Sequence, residues 1–303
     1  MYLKHFAIKQ YPFQLTPDTE FSCNYGSHHE ALNTLLFSLG EGEGIVKIIG
    51  EIGLGKTFLC RELLNCLDEQ FVVIYLPNPS LTPQELKQTI FRELQSQMPI
   101  TPSIDIDLTQ LIFTQILHCH QQKKRVVIIV DEAQALSDEA LETLRLLTNL
   151  ETESHKLLQI VLFAQPELKQ RLMHRSLRQF NQRITFSHEL TGLALTEMDK
   201  YLVQRLLAAG HHDGELFSRA AKKLLHRTSR GVPRIINILA HKAMLAAYGK
   251  GLNKVDYWSV RKSIADSKEL VNGYSNRMSL SKITLMILSV ILLSFILFIL
   301  YRI

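Results

Sequence analysis

The run Gly50-Glu51-Ile52-Gly53-Leu54-Gly55-Lys56-Thr57, with Phe58 behind it, fits the phosphate-binding pattern G-x-x-x-x-G-K-[ST] and follows an apolar stretch, Gly44 to Ile49. Such a loop works where a buried strand hands over to a helix, so it commits the chain around it to an α/β layout. Its glycines let successive backbone N–H groups curl around phosphate oxygens. Lys56 has the reach for the outer phosphates, and the Thr57 hydroxyl stands at the helix mouth where a Mg²⁺ ion needs an oxygen. Gly50 through Phe58 are therefore the expected contacts of a nucleoside triphosphate.

Arg125 to Val130 is a second continuous apolar run, and it ends in Asp131-Glu132. Parallel sheets present ligand groups at the C-terminal ends of their strands. Asp131 is thus placed to hold the Mg²⁺ shell, and Glu132 to polarise the water that attacks the γ-phosphate. Leu158 to Phe163 runs into Ala164-Gln165-Pro166-Glu167, which makes Gln165 a candidate sensor of the γ-phosphate; a turn amide bonding its own loop is the alternative. In Ser229-Arg230-Gly231-Val232-Pro233-Arg234, Arg234 opens a helix as a candidate cis arginine, with Arg230 as its rival. Arg175, Arg178 and Arg183 precede the last strand, where a ring supplies an arginine to its neighbour's site. Arg183 is preferred among them, and solvated helix charge is the alternative for each.

Buried-looking strands at 44–49, 71–76, 125–130, 158–163 and 184–188 alternate with amphipathic helices at 58–67, 83–97, 108–121 and 137–149. Thr82 and Glu85 form a capping box ahead of the second of these helices. The pattern predicts a nucleotide-binding domain at 1–192, with a parallel sheet covered by helices. From 193 to 266 only helices are expected: Thr196 caps one, Gly210 and Gly214 interrupt, and Gly231-Val232-Pro233 opens another. This small all-α lid is followed by a linker at 267–282.

Residues 283–301 carry no charge and would form a helix about 28 Å long at about 1.5 Å per residue, which matches a bilayer core. Lys262, Lys268, Arg277 and Lys282 precede this span and only Arg302 follows it, so the body is expected on the cytoplasmic face of the inner membrane. No signal peptide is visible within Met1 to Glu20. Cys23, Cys60, Cys66 and Cys119 have no disulfide or zinc spacing, and His118-Cys119-His120 would point in different directions from a helix. The net charge of +5 is not concentrated in a stripe, so no specific nucleic acid is expected, while an anionic membrane face suits it.

The phosphate loop, Asp131-Glu132-Ala133-Gln134, Phe163-Ala164-Gln165-Pro166-Glu167-Leu168 and Gly231-Val232-Pro233-Arg234-Ile235-Ile236-Asn237 together resemble the AAA+ ATPases of bacterial secretion and pilus assembly, the MSHA pilus biogenesis and general secretion pathway protein A family. Tyr11-Pro12-Phe13-Gln14-Leu15-Thr16-Pro17 and His29-Glu30-Ala31-Leu32 are similar to that family's opening segment, and the likeness covers about Met1 to Ser267. It implies ATP as the nucleotide, a homo-oligomeric ring, a membrane protein as partner, and a role in assembling a type IV (MSHA-like) pilus or a type II secretion machine. Secretion-type members continue past their membrane helix into a peptidoglycan-binding domain; this sequence ends at Ile303, which favours the pilus type.

Other readings are weaker. Asp131-Glu132-Ala133-Gln134 and His226 to Gly231 mimic two RNA helicase motifs, but the residues between them are too few for a second α/β lobe. A DNA-dependent AAA+ ATPase of the transposition or replication-initiator sort shares the motifs, yet would carry a basic DNA-reading module. A nucleotide-gated scaffold that hardly hydrolyses has no use for Glu132.

Overall fold

The computed structural model describes residues 2–14, 26–77, 79–99, 107–151 and 156–269. The expected membrane helix at 283–301 lies outside them, as does most of the expected linker. Among the described residues no helix is long and apolar enough to cross a membrane.

The chain divides into two compact units, and the division is discontinuous in sequence. The nucleotide unit takes residues 26–197 together with Val232–Arg234. Its five strands are β1 (Ile45–Ile49), β2 (Phe71–Leu76), β3 (Arg125–Val130), β4 (Leu158–Ala164) and β5 (Ile184–Glu189). They form one sheet in the order β2-β3-β4-β1-β5, and every pair is parallel. β1 and β4 are buried at every position, and β3 at all but Arg125, as the unbroken apolar runs require when helices cover both faces. β5 at the edge alternates half-buried and exposed residues.

Helices α2 (Ser27–Glu41), α3 (Lys56–Cys66), α4 (Pro83–Gln97), α5 (Leu108–Gln121) and α6 (Asp138–Leu147) belong to this unit, with the short α7 (Pro166–Arg171) and α8 (Arg178–Gln182) after β4. The capping box forms as the sequence predicts: Thr82 Oγ1 accepts from the Glu85 N–H, and the Glu85 carboxylate accepts from the Thr82 N–H. Ser137 caps α6 through the Ala140 N–H at 3.1 Å. Isoleucine, leucine and valine from β2, β3, β4 and these helices make the main core, with Phe180 of α8 fully buried in it. On α5, Cys119 is buried while His120 faces solvent, so the His118-Cys119-His120 trio is spread around the helix.

The helical unit takes residues 2–14, 198–231 and 235–269. It holds α1 (Tyr2–His5), most of α9 (Leu195–Ala208), α10 (Arg219–Ser229), most of α11 (Pro233–Gly249) and α12 (Tyr257–Ala265). Gly210 and Gly214 have positive φ at the breaks, and Pro233 opens α11. Thr196 is not the cap of α9: the helix already includes Leu195, and the Glu197 carboxylate takes the Ala194 N–H at 2.7 Å, which satisfies an early donor in its place. The opening residues sit with these helices, Tyr2 Oη bonding His241 Nδ1 at 2.9 Å.

Candidate nucleotide site

Three strand ends meet because β4 lies between β3 and β1. The phosphate loop leaves β1, Asp131 leaves β3 and Gln165 leaves β4. The register draws them together: the Gly50 N–H donates to the Ala164 carbonyl at 3.0 Å.

Gly53 and Gly55 take φ of 81° and 91°, the left-handed region that lets the loop curl back on itself. Lys56 and Thr57 begin α3, so the free N–H groups of its first turn face the loop. Lys56 is buried, and its amine donates to the carbonyls of Gly50 at 2.8 Å and Glu51 at 3.2 Å. Burial holds its pKa below the usual lysine range; the nearby carboxylates of Glu132, Asp131, Glu51 and Glu167 offset only part of that. Phe58 is half-buried on α3, beside Gly55.

Asp131 is buried as well. Desolvation raises its pKa, against hydrogen bonds from the Thr57 hydroxyl and the Glu132 N–H and the positive charge of Lys56. Glu132 follows in the left-handed region at φ 54°, a conformation that costs a non-glycine residue roughly 1 kcal/mol or more. The strained turn aims its carboxylate at two amides: Glu132 Oε2 accepts from Gln165 Nε2 at 2.9 Å and from Gln134 Nε2. Gln134 Oε1 in turn accepts the Gln165 N–H at 3.0 Å. Gln165 is therefore not a turn amide bonding its own loop; it bridges the ends of β3 and β4.

The arginines separate. Arg234 is exposed, and its main-chain N–H donates to Gly53 O at 3.3 Å, so the start of α11 touches the phosphate loop. Arg230 caps the C-terminal end of α10 in the left-handed region. Arg183 bonds Asn149 Oδ1 at 2.8 Å and precedes Ile184, which pairs with Ile45 at the start of β1. It stands at the opposite end of the strands from its own phosphate loop, which follows Ile49 at the far end of β1. Arg175 and Arg178 are exposed.

Two residues were not singled out by the sequence. His28, second in α2, is buried, and its ring Nε2 lies 2.5 Å from the Leu54 carbonyl. A Cβ on Gly55 would lie only 3.0 Å from that same nitrogen, so loop and imidazole are fitted to each other. Arg171 of α7 donates to the Gln134 and Leu136 carbonyls, both at 2.8 Å, and to Asp138 at 2.6 Å, pinning the turn that carries Glu132. Neither belongs to a motif with a periodic signature, and His28 adjoins the His29 that carried the resemblance.

A phosphate chain suits this set: a curled glycine loop, a buried ammonium bonded only to carbonyls, and a hydroxyl beside a buried carboxylate whose desolvation favours a cation. A protein-family model described as an AAA domain matches residues 39–172. General secretion pathway protein A of Aeromonas hydrophila is 40% identical over 256 residues, 84% of this chain and 46% of that protein, so the chain spans about half the length of its curated relative. The Aeropyrum pernix ORC2 protein, solved as ADPNP-ADP complexes, superposes with a TM-score of 0.57 at 18% identity over 82% of this chain and 71% of that one. Cdc6p from Pyrobaculum aerophilum follows at 0.56 and 18% over 82% and 70%, and these two likenesses concern the fold alone. With the loop, the acidic pair and the parallel sheet in one arrangement and this identity to a secretion protein, the chain belongs to the AAA+ P-loop ATPases of the general secretion pathway protein A family.

Proposed function

We infer that this chain is a Mg²⁺-dependent ATP hydrolase, held on the cytoplasmic face of the inner membrane by residues 283–301, that serves the assembly of a type IV (MSHA-like) pilus or a type II secretion machine. The observation that carries the catalytic part is the Glu132–Gln165–Gln134 triad beside Lys56. Gln165 and Gln134 hold the Glu132 carboxylate beside the phosphate loop, where, once released from Gln165, it would take a proton from the attacking water. The loop N–H groups and Lys56 bind and orient the β- and γ-phosphates, for which Lys56 exchanges its carbonyl partners. Thr57 and Asp131 would hold Mg²⁺, which when bound supplies charge neutralisation on the phosphate oxygens. Because Gln165 bonds the base directly, a γ-phosphate that draws Gln165 away would free Glu132, and product loss would restore the bond. Arg183, at the strand end away from its own phosphate loop, fits donation to a neighbouring subunit in a ring.

The biological part rests on the 40% identity to a secretion protein and on the uncharged run near the end of the chain. The test is affinity capture from detergent-solubilised membranes with Glu132→Gln held on ATP. Pilus or secretion components in the eluate are the expected result; DNA-processing proteins, with ATPase stimulation by duplex DNA that weakens steeply with salt, would instead favour an initiator-like role.

A further inference from the structure

The exposed stripe of α12 brings aromatic and basic side chains together. Tyr257, Trp258, Arg261, Lys262 and Ala265 all face solvent, with Trp258 57% exposed. At 100° per residue these five positions span one side of the helix, while Ser259, Val260 and Ser263 turn inward. The stripe thus combines two aromatic rings, two cations and no carboxylate. Its residues organise one another: Trp258 meets Tyr257 edge to face at 5.6 Å, and the Arg261 guanidinium lies 5.2 Å from the Trp258 ring. Of the acids nearest in sequence, Asp256 is engaged as the helix cap by the Ser259 N–H and hydroxyl, and Asp266 lies just past the helix end.

Tryptophan and tyrosine favour the headgroup layer of a bilayer, and lysine and arginine gain there when the lipid is anionic. Residues 270–282 can span no more than about 45 Å even fully extended. A body anchored through 283–301 therefore keeps Glu269, four residues past α12, within that distance of the bilayer, at high effective concentration. Exposed basic positions at Lys250, Lys254 and Lys268 flank the stripe in sequence, against the exposed acids Asp266 and Glu269 past its end.

We propose that the Tyr257–Ala265 face docks on an anionic phospholipid surface, so that the helical unit lies against the membrane as a second contact. This inference rests on the membrane-anchored reading above and adds a site to it. Trp258 is the sole tryptophan of the chain, so its fluorescence reports this face and nothing else.

The test uses the full chain in vesicles of phosphatidylcholine with or without phosphatidylglycerol, some carrying bromine-labelled acyl chains near the headgroup. Docking predicts a blue shift and bromine quenching of Trp258 with anionic vesicles, lost in high salt and weak in phosphatidylcholine alone. Arg261→Glu with Lys262→Glu should reduce the docked-to-undocked ratio by at least roughly twentyfold, about fivefold per charge removed. Resistance to alkaline extraction reads the anchor separately. An extraction-resistant protein whose Trp258 is unquenched in anionic vesicles overturns the docking and leaves the anchor standing. An extractable protein whose Trp258 is still quenched by added anionic vesicles retains the docking and removes the anchor. A blue shift without quenching, indifferent to lipid charge, overturns it in favour of a protein surface on this face.

Discussion

The buried charges of the phosphate-loop site and two bonded charges of the helical unit behave in opposite ways. In the nucleotide unit Lys56 titrates below the usual lysine range because of burial, and Asp131 above the usual carboxylate range for the same reason, so the fold opposes both charges. In the helical unit burial also works against Lys222, yet salt bridges to Asp199 at 2.5 Å and Glu215 at 3.1 Å outweigh it and raise its pKa. Asp256 there is held below the ordinary value, first by its bond to the Ser259 side chain. One set of charges is answered inside the fold, and the other is placed where a phosphate chain and a cation would answer it. The contrast separates residues that maintain the structure from residues that the structure tolerates for a ligand.

The largest test of that contrast is Glu132→Gln, which keeps the hydrogen-bonded geometry but removes the base. Turnover should fall by about 10² to 10⁴ while fluorescent ATP-analogue binding persists; undiminished turnover would place the base elsewhere. Lys222→Ala should cost about 1.5–3 kcal/mol in chemical denaturation of the nucleotide-free protein, because it removes a charged donor from two bonds. A loss as large from Lys56→Met would erase the distinction between the units. Asp131→Asn, measured without metal or nucleotide, should raise the melting temperature by about 2–4 °C, the shift that about 1 kcal/mol produces at this size. A drop would mean that the bonds from Thr57 and the Glu132 N–H outweigh its desolvation.

Asp256→Ala should cost about 1 kcal/mol at neutral pH from the lost helix cap. Its sign with pH follows from the lowered pKa: the native state holds this proton less tightly than the unfolded chain. The contribution is therefore complete above the ordinary aspartate pKa and fades as pH falls through the lowered folded value. Stability curves of the native and substituted proteins should converge in acid, and a constant gap would deny the carboxylate its role.

β1 to β4 were legible because each is a nearly unbroken apolar run, the mark of strands covered on both faces; β5 offers only Ile184 and Phe186 in alternation, and all five boundaries agree within a residue or two. Pro83, Thr82 and Ser137 announce helix starts through local hydrogen bonds that need no tertiary partner. The short α7 and α8 carry too few turns for a periodic signal and form because Leu168 and Phe180 are drawn into the core. Thr196 misled because any early side-chain acceptor can serve a helix start, and Glu197, the next residue, reaches back to the Ala194 N–H.

What the sequence determined by itself is the phosphate loop and the acidic pair, since contiguous residues after apolar runs are positioned by the backbone geometry of a strand end. What only the tertiary structure decided is the company those residues keep. The order β3-β4-β1 is a matter of non-local pairing that brings Gln165 to Glu132 and Arg171 to the turn that holds it, while the packing of α2 on β1, α3 and β5 sets His28 against the loop. Contacts between residues dozens of positions apart leave no trace in local spacing, because they exist only after the sheet has assembled.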